Sequence, residues 1–65
     1  MVGINKNKIR LSRLGYGAIE IDELFDGLNR DNQNYITKIV IKLVINGMPL
    51  DKTMTQAFAI KGELL

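Results

Sequence analysis

Alternation of apolar and polar residues marks the first patterned segment, residues 8–14, in which Ile9 and Leu11 are each flanked by polar side chains. A period of two is typical of a strand with one buried face. A Gly-Tyr-Gly sequence follows, and glycine tolerates the backbone angles of a tight turn. The pattern therefore predicts an N-terminal β-hairpin, in which residues 18–21 form the second strand or instead begin a helix.

Helical spacing of apolar residues begins with the second segment, residues 22–28. Its apolar positions, which follow the i, i+3, i+4, i+7 pattern of one helix face, are Ile21, Leu24, Phe25 and Leu28. Asp22 is a favourable N-cap, so a short helix is predicted here. The fourth segment, residues 49–65, predicts another helix, with Asp51 as its N-cap and Gly62 at its end.

Residues 28–47 form the third segment, whose second half is unusually apolar. Read as a helix, it has a single polar seam of residues four apart, made of Asn34, Lys38, Lys42 and Asn46. The alternative is a strand over residues 35–45, which the many β-branched side chains of this segment favour. Asn29 or Asp31 is a good helix N-cap, and Gly47 is a good residue to end a helix. These signals favour the helix, and the strand stays an alternative.

The fold class expected from these segments is mainly α, with three helices and the hairpin in a single domain of residues 1–65. Residues 1–7 are expected to be a flexible basic arm. The alternative is an α+β domain with residues 35–45 as a strand. A domain of 65 residues buries only about 60% of its unfolded surface, and this one has no Cys or His for disulfides or zinc. We therefore expect dimerisation to complete the fold.

The apolar stripe of the third segment is the expected interface with a second copy or another protein, because a small monomer does not easily cover it. Its expected contact residues are Tyr35, Ile36, Ile39, Val40, Leu43 and Val44. Replacing Val40 or Leu43 by Glu is then expected to separate the copies.

Catalytic chemistry finds little support in the composition. With no His and no Cys, most pairings of a nucleophile with a general base are missing, and Ser12 is the only serine. The Gly-Tyr-Gly turn lacks the third glycine of a dinucleotide motif, and the segment after Asp31 lacks the Gly and Glu of a calcium loop. We expect a non-enzyme without cofactor, metal or small-molecule substrate.

Targeting and membrane signals are equally sparse. No signal-peptide pattern is visible, because four bases interrupt any apolar run near the N-terminus. The longest apolar run, residues 36–45, contains two lysines and is too short to span a bilayer. A cytoplasmic protein without membrane contact is expected.

Charge is distributed unevenly along the chain, although its net value is only +2. Residues 1–14 contain four bases and no acid, whereas residues 15–29 contain four acids and no base. A basic segment can contact an anionic partner. The third and fourth segments are two predicted helices joined by a short turn around Gly47, as in a helix-turn-helix motif. The residues expected to contact nucleic acid, if it binds, are Lys6, Lys8, Arg10, Arg13, Lys52, Thr53, Thr55 and Gln56.

Two resemblances to known regulators bear on function. Residues 8–24 resemble the N-terminal half of AbrB-type transition-state regulators, in which a basic strand, a glycine turn, an Ile-rich strand and a short helix follow one another. The resemblance implies a swapped-hairpin module that binds DNA. It departs from the family pattern at Asp22, where that family usually has Pro. Residues 24–39 are similar in style to oligomerisation helices of small bacterial and phage repressors.

These patterns together favour a small non-enzymatic regulatory module that acts by protein–protein contact, as an antirepressor, inhibitor or accessory factor. Its expected partners are a second copy of the chain and a larger protein. The alternative is a dimeric DNA-binding transcriptional regulator of helix-turn-helix or swapped-hairpin type.

Overall fold

Four helices make up the structure, a computed structural model that describes residues 5–65. They are α1 (Lys6–Leu14), α2 (Ala18–Phe25), α3 (Arg30–Ile45) and α4 (Leu50–Leu64), and residues 5–65 contain no strand. The prediction of a mainly α protein is confirmed, with four helices instead of three. A single hydrophobic core joins them, and its buried side chains are Leu11, Tyr16, Ile21, Leu24, Phe25, Leu28, Ile36, Val40, Met54 and Ala57.

The helices pack around this core in a four-cornered arrangement. Helix α1 packs against α2 and α3, and α4 likewise packs against α3 and α2. Helices α2 and α3 therefore occupy opposite corners, each held between α1 and α4. This order decides which outer surfaces are neighbours and which lie on opposite sides of the molecule.

The N-terminal hairpin prediction is wrong for the described residues, because residues 8–14 lie in α1 and α2 begins at Ala18. Seven residues are too few to separate a period of two from one of 3.6. The helix turns Asn7, Leu11 and Leu14 towards the core and leaves Ile9 on the outside. The Asn5 side chain caps the helix by accepting hydrogen bonds from the backbone N–H groups of the next turn.

The predicted basic arm of residues 1–7 overlaps α1. Asn5 is the N-cap of this helix, and Lys6 and Asn7 form its first turn. Asn7 is buried, so this part of the arm is packed onto the domain. Residues 1–4 of the arm lie outside the described residues.

Helix α3 confirms the helical interpretation of the third segment, so the alternative strand over residues 35–45 is wrong. The Asn29 side chain accepts a hydrogen bond from the Asn32 N–H, which caps the first turn. Gly47 has a φ of +96°, and the Met48 N–H donates to the Leu43 carbonyl at 3.0 Å. This is the bond pattern of a Schellman ending, for which glycine is favoured.

Tyr16 ties the α1–α2 turn to the start of α4. Its hydroxyl donates to the Leu50 carbonyl at 2.7 Å, and its ring lies in the core. Burial raises the pKa of this phenol above its ordinary value, and the carboxylates of Glu20 and Asp51 also contribute to raising it. The preceding Gly15 ends α1 with a φ of +120°.

The termini of α2 and α4 differ from those predicted. Helix α2 begins four residues before Asp22, after Gly17, and includes Ile19 on its outer side. Helix α4 begins after Pro49 and continues through Gly62 to Leu64. The apolar C-terminal residues extend the packing of α4, so the helix does not end at the glycine.

Replacing Gly62 by Ala is expected to raise the free energy of unfolding by about 0.5–1 kcal/mol, because glycine costs about that much more than alanine within a helix. A Cβ at this position meets no atom within 4 Å, so no contact opposes the gain. Urea unfolding followed by circular dichroism measures the change. Unchanged or lower stability would mean that the last turn is frayed in solution.

Candidate functional site

The contact between α1 and α3 contains an unusual set of amide side chains. Asn7, only 5% exposed, donates a hydrogen bond from Nδ2 to Asn34 Oδ1 at 2.6 Å. Next to this bond, the N-cap residue Asn5 donates from Nδ2 to Gln33 Oε1 at 3.1 Å. A buried amide needs a partner to offset its lost hydration, so these bonds fix the register of α1 against α3.

A groove runs along this contact, and its lining is strongly basic. It has a volume of about 390 Å³ and is lined by Lys6, Asn7, Arg10, Arg30, Asn34 and Lys38. We call these six residues the basic groove. Two cations come from α1 and two from α3, and the Asn7–Asn34 pair forms the floor between them. No carboxylate is among the lining residues, so the four positive charges act together on anything in the groove.

The spacing within each helix explains how the cations converge. Lys6 and Arg10 are four residues apart on α1, and Arg30 and Lys38 are eight residues apart on α3. These intervals place side chains on the same helix face. Arg13 continues the α1 row, because it lines a smaller neighbouring hollow with Lys6 and Arg10. The basic surface therefore extends along most of α1.

Lys8 differs from the other bases of α1. Its ammonium lies 2.6 Å from the Asp22 carboxylate of α2, in an exposed ion pair. The pair is at the edge of an open apolar hollow between α1 and α2, of about 430 Å³, which also includes Ser12 and Ile21. Since Lys8 faces α2, it does not line the basic groove.

The predicted nucleic-acid contacts are thus divided by the structure. Lys6, Arg10 and Arg13 lie together on α1, and sequence reasoning missed their two partners on α3. On α4, Lys52, Thr55 and Gln56 are exposed, apart from the basic groove.

Thr53 was predicted as an outward nucleic-acid contact and is fully buried instead. Its hydroxyl donates to the Pro49 carbonyl at 2.9 Å, within the first turn of α4. The side chain is therefore not available to a partner.

The six residues of the predicted interface stripe of α3 also differ in their exposure. Ile36 and Val40 are fully buried by the other helices of the same chain. Ile39, Leu43 and Val44 are half-buried, and Val44 packs against the core. Tyr35 is exposed, so it is the most accessible of the six predicted contact residues. Folding of the monomer itself therefore covers the centre of the stripe.

A different apolar surface of α3 is left uncovered. Ile45 is 75% exposed, and with Ile41 it lines an open hollow beside Lys38, Lys42 and Asn46. We call Lys38, Ile41, Lys42 and Ile45 the basic strip. It follows the polar seam of the helix and begins where the basic groove ends, at Lys38.

Metal-binding clusters and membrane-spanning helices are both absent from the part of the chain that the structure describes. Residues 5–65 contain no cluster of three or more side chains of the types that bind metals. Within the same residues, every helix is too short or too polar to cross a bilayer. No protein-family model, curated protein or solved structure matches the chain.

Proposed function

We propose that this protein is a small non-enzymatic regulatory module that binds nucleic acid through the phosphate backbone. The observation that carries the proposal is the basic groove, in which four cations from two helices line one depression without an acid. Phosphate oxygens are the partner for which converging Lys and Arg side chains are best suited. The partner in this proposal is the DNA of the alternative hypothesis. It is contacted by predicted bases of α1 together with α3, and not by the predicted residues of α4.

The groove supports backbone contacts more than base recognition. Lys6, Arg10, Arg30 and Lys38 offer charge and guanidinium donors, which position a strand without reading its sequence. The Asn34 side chain, which accepts from Asn7 through Oδ1, also lines the groove and carries an amide donor in its Nδ2. We expect binding with little sequence preference and with a steep dependence on salt.

The salt dependence gives a quantitative expectation. Four phosphate contacts to duplex DNA predict a slope of about −3.6 in a plot of log affinity against log salt concentration. Between about 50 and 200 mM salt this corresponds to a loss of roughly a hundredfold in affinity. Single strands are expected to give a shallower slope, because each contact then releases fewer counterions.

Replacing Arg30 by Gln is expected to reduce the steepness of this slope by about 0.9, since one phosphate contact is removed. Fluorescence anisotropy with a labelled duplex and a labelled single strand, titrated at several salt concentrations, measures the slope. Lys52→Gln is the matched control, because it removes one exposed cation on α4 outside the groove. Its slope is expected to equal that of the unmodified protein.

Two outcomes would contradict the groove as the binding site. If neither nucleic acid binds at low salt, the protein is not a nucleic-acid-binding module. If Lys52→Gln lowers the slope and Arg30→Gln does not, the contact is made by α4, as the helix-turn-helix hypothesis requires. Circular dichroism of both variants checks that the helices are intact.

A second candidate is regulation by protein–protein contact, the function that the sequence favoured. The apolar patch of exposed Ile45 and half-buried Ile41 supports it, because an apolar patch rimmed by polar residues is typical of a protein-binding surface. The anisotropy experiment separates the two candidates, since a protein that binds neither duplex nor single strand at low salt leaves protein contact as the better proposal.

A further inference from the structure

Helix α2 has an outer face whose chemistry is the opposite of that of the basic strip. Ile19 is 77% exposed, and around it lie the exposed carboxylates of Asp22, Glu23 and Asp26. These three acids follow Ile19 at intervals of three, four and seven residues, which places them on the same side of the helix. We call these four residues the acidic face.

The basic strip has the same construction with the charge reversed. Ile45 is its exposed apolar side chain, and Lys42 and Ile41 precede it by three and four residues. Each surface thus has an exposed isoleucine with charges on the same side of its helix. On the acidic face Asp22 is already paired with Lys8, and the Lys61 ammonium donates to the Glu23 carbonyl, so the carboxylates of Glu23 and Asp26 are the charges that face a partner. If the two helices run antiparallel, a contact between the two isoleucines brings Glu23 and Lys42 to the same side, because Glu23 follows Ile19 and Lys42 precedes Ile45.

The two surfaces cannot meet within one molecule. Helices α2 and α3 occupy opposite corners, since each packs against both α1 and α4. Their outer faces consequently lie on opposite sides of the domain. Only a second molecule can bring a basic strip to the acidic face.

Charge also decides against symmetric pairing. A two-fold contact between two basic strips would place Lys38 and Lys42 of one copy against the same lysines of the other, and two acidic faces would repel each other in the same way. The complementary arrangement pairs opposite charges around two apolar side chains. It favours a contact between unlike surfaces of two copies.

We propose that copies of this chain associate head to tail, with the acidic face of one copy against the basic strip of the next. Such a contact is heterologous, so each added copy leaves one free surface of each kind and the assembly grows into a ring or an open chain. The contact is small, so association depends on the protein concentration. Salt weakens it, because the paired charges are exposed and are screened. The contact shares Lys38 with the basic groove, whereas Glu23, Lys42 and Ile45, the positions that test it, lie outside that groove.

The test is a charge exchange followed by sedimentation velocity over a range of concentrations at low salt. Glu23→Lys and Lys42→Glu are each expected to abolish self-association, because each places like charges across the contact. An equimolar mixture of the two variants is expected to regain it, since the reversed pair is again complementary. Glu63→Lys and Lys52→Glu make the same charge changes on α4, and both are expected to associate as the unmodified protein does.

The apolar part of the contact has its own variants. Ile45→Ser is expected to lower the association constant at least tenfold, whereas Leu65→Ser, at another exposed apolar position, is expected to leave it unchanged. All the substituted side chains are exposed, and circular dichroism checks that each variant is folded.

Three results would overturn the head-to-tail contact. An unmodified protein that is monomeric at every concentration would exclude it. If Lys42→Glu changes association while Glu23→Lys does not, the contact is between two copies of α3 instead. A mixture of the charge variants that stays monomeric would show that the two positions do not face each other.

Discussion

Val40→Glu is expected to unfold the protein instead of separating two folded copies. The Val40 side chain is 0% exposed and lies in the core beneath the other helices of the same chain. A carboxylate there would lose its hydration without a partner, at a cost of several kcal/mol. A domain of this size has a total stability of only about 3–5 kcal/mol. The variant should therefore lose its helical circular dichroism signal at room temperature, even when dilute.

Ile45→Glu is the matched control, because it makes the same kind of change in the same helix at a side chain that is 75% exposed. Its expected cost is at most about 1 kcal/mol, arising from a negative charge at the C-terminal end of α3. Thermal and urea unfolding compare the two variants. If Val40→Glu were as stable as the unmodified protein and only its self-association were lost, Val40 would lie between molecules, as the sequence suggested.

The misplacement of Val40 in the sequence-based interpretation has a definite physical origin. Periodicity correctly identified α3 and its exposed polar seam of Asn34, Lys38, Lys42 and Asn46. Periodicity does not identify which element covers an apolar face. Once residues 8–14 were interpreted as a strand, α1 was missing from the predicted helices. Without α1, no element of the same chain was expected to cover this side of the α3 stripe. The sequence-based interpretation therefore assigned the stripe to contact with a second copy.

The basic groove was predictable only in part, for a related reason. Lys6, Arg10 and Arg13 stand out in the sequence because no acid interrupts them. Arg30 and Lys38 belong to a segment of mixed charge, and only the packing of α1 on α3 brings them beside the others. The Asn7–Asn34 bond that fixes this packing joins residues 27 positions apart, and a single polar residue facing inwards leaves no mark on the hydrophobic pattern.

Gly15→Val is expected to be the second strongly destabilising change, because two costs add at this position. Gly15 has a φ of +120°, a conformation that a β-branched residue adopts only with strain of about 1–3 kcal/mol. A Cβ there would also lie 3.1 Å from Leu50 Cδ1, so α4 or its side chain must shift. Overpacking of this kind costs about another 1–3 kcal/mol. Urea unfolding should show most of the domain's stability lost.

Gly47→Val separates these two costs. Gly47 has a φ of +96°, and a Cβ at this position meets nothing within 4 Å, so this variant carries the backbone strain alone. The difference in unfolding free energy between the two variants therefore measures the contact with Leu50. If the two variants are equally stable, Leu50 moves aside without cost, and the turn at Gly15 does not constrain the position of α4.

The Tyr16 hydroxyl gives a second readout of the same contact, provided that circular dichroism shows each variant to be folded at the pH of the titration. Its hydrogen bond to the Leu50 carbonyl and the burial of its ring depend on α4 staying close to the α1–α2 turn. Because burial raises the pKa of Tyr16, its contribution to stability is complete below about pH 10 and is lost as the pH rises through the folded-state pKa. In a Tyr35→Phe background, ultraviolet absorbance follows the ionisation of Tyr16 alone. Displacement of Leu50 by Gly15→Val should lower this midpoint towards pH 10, whereas Gly47→Val should leave it raised.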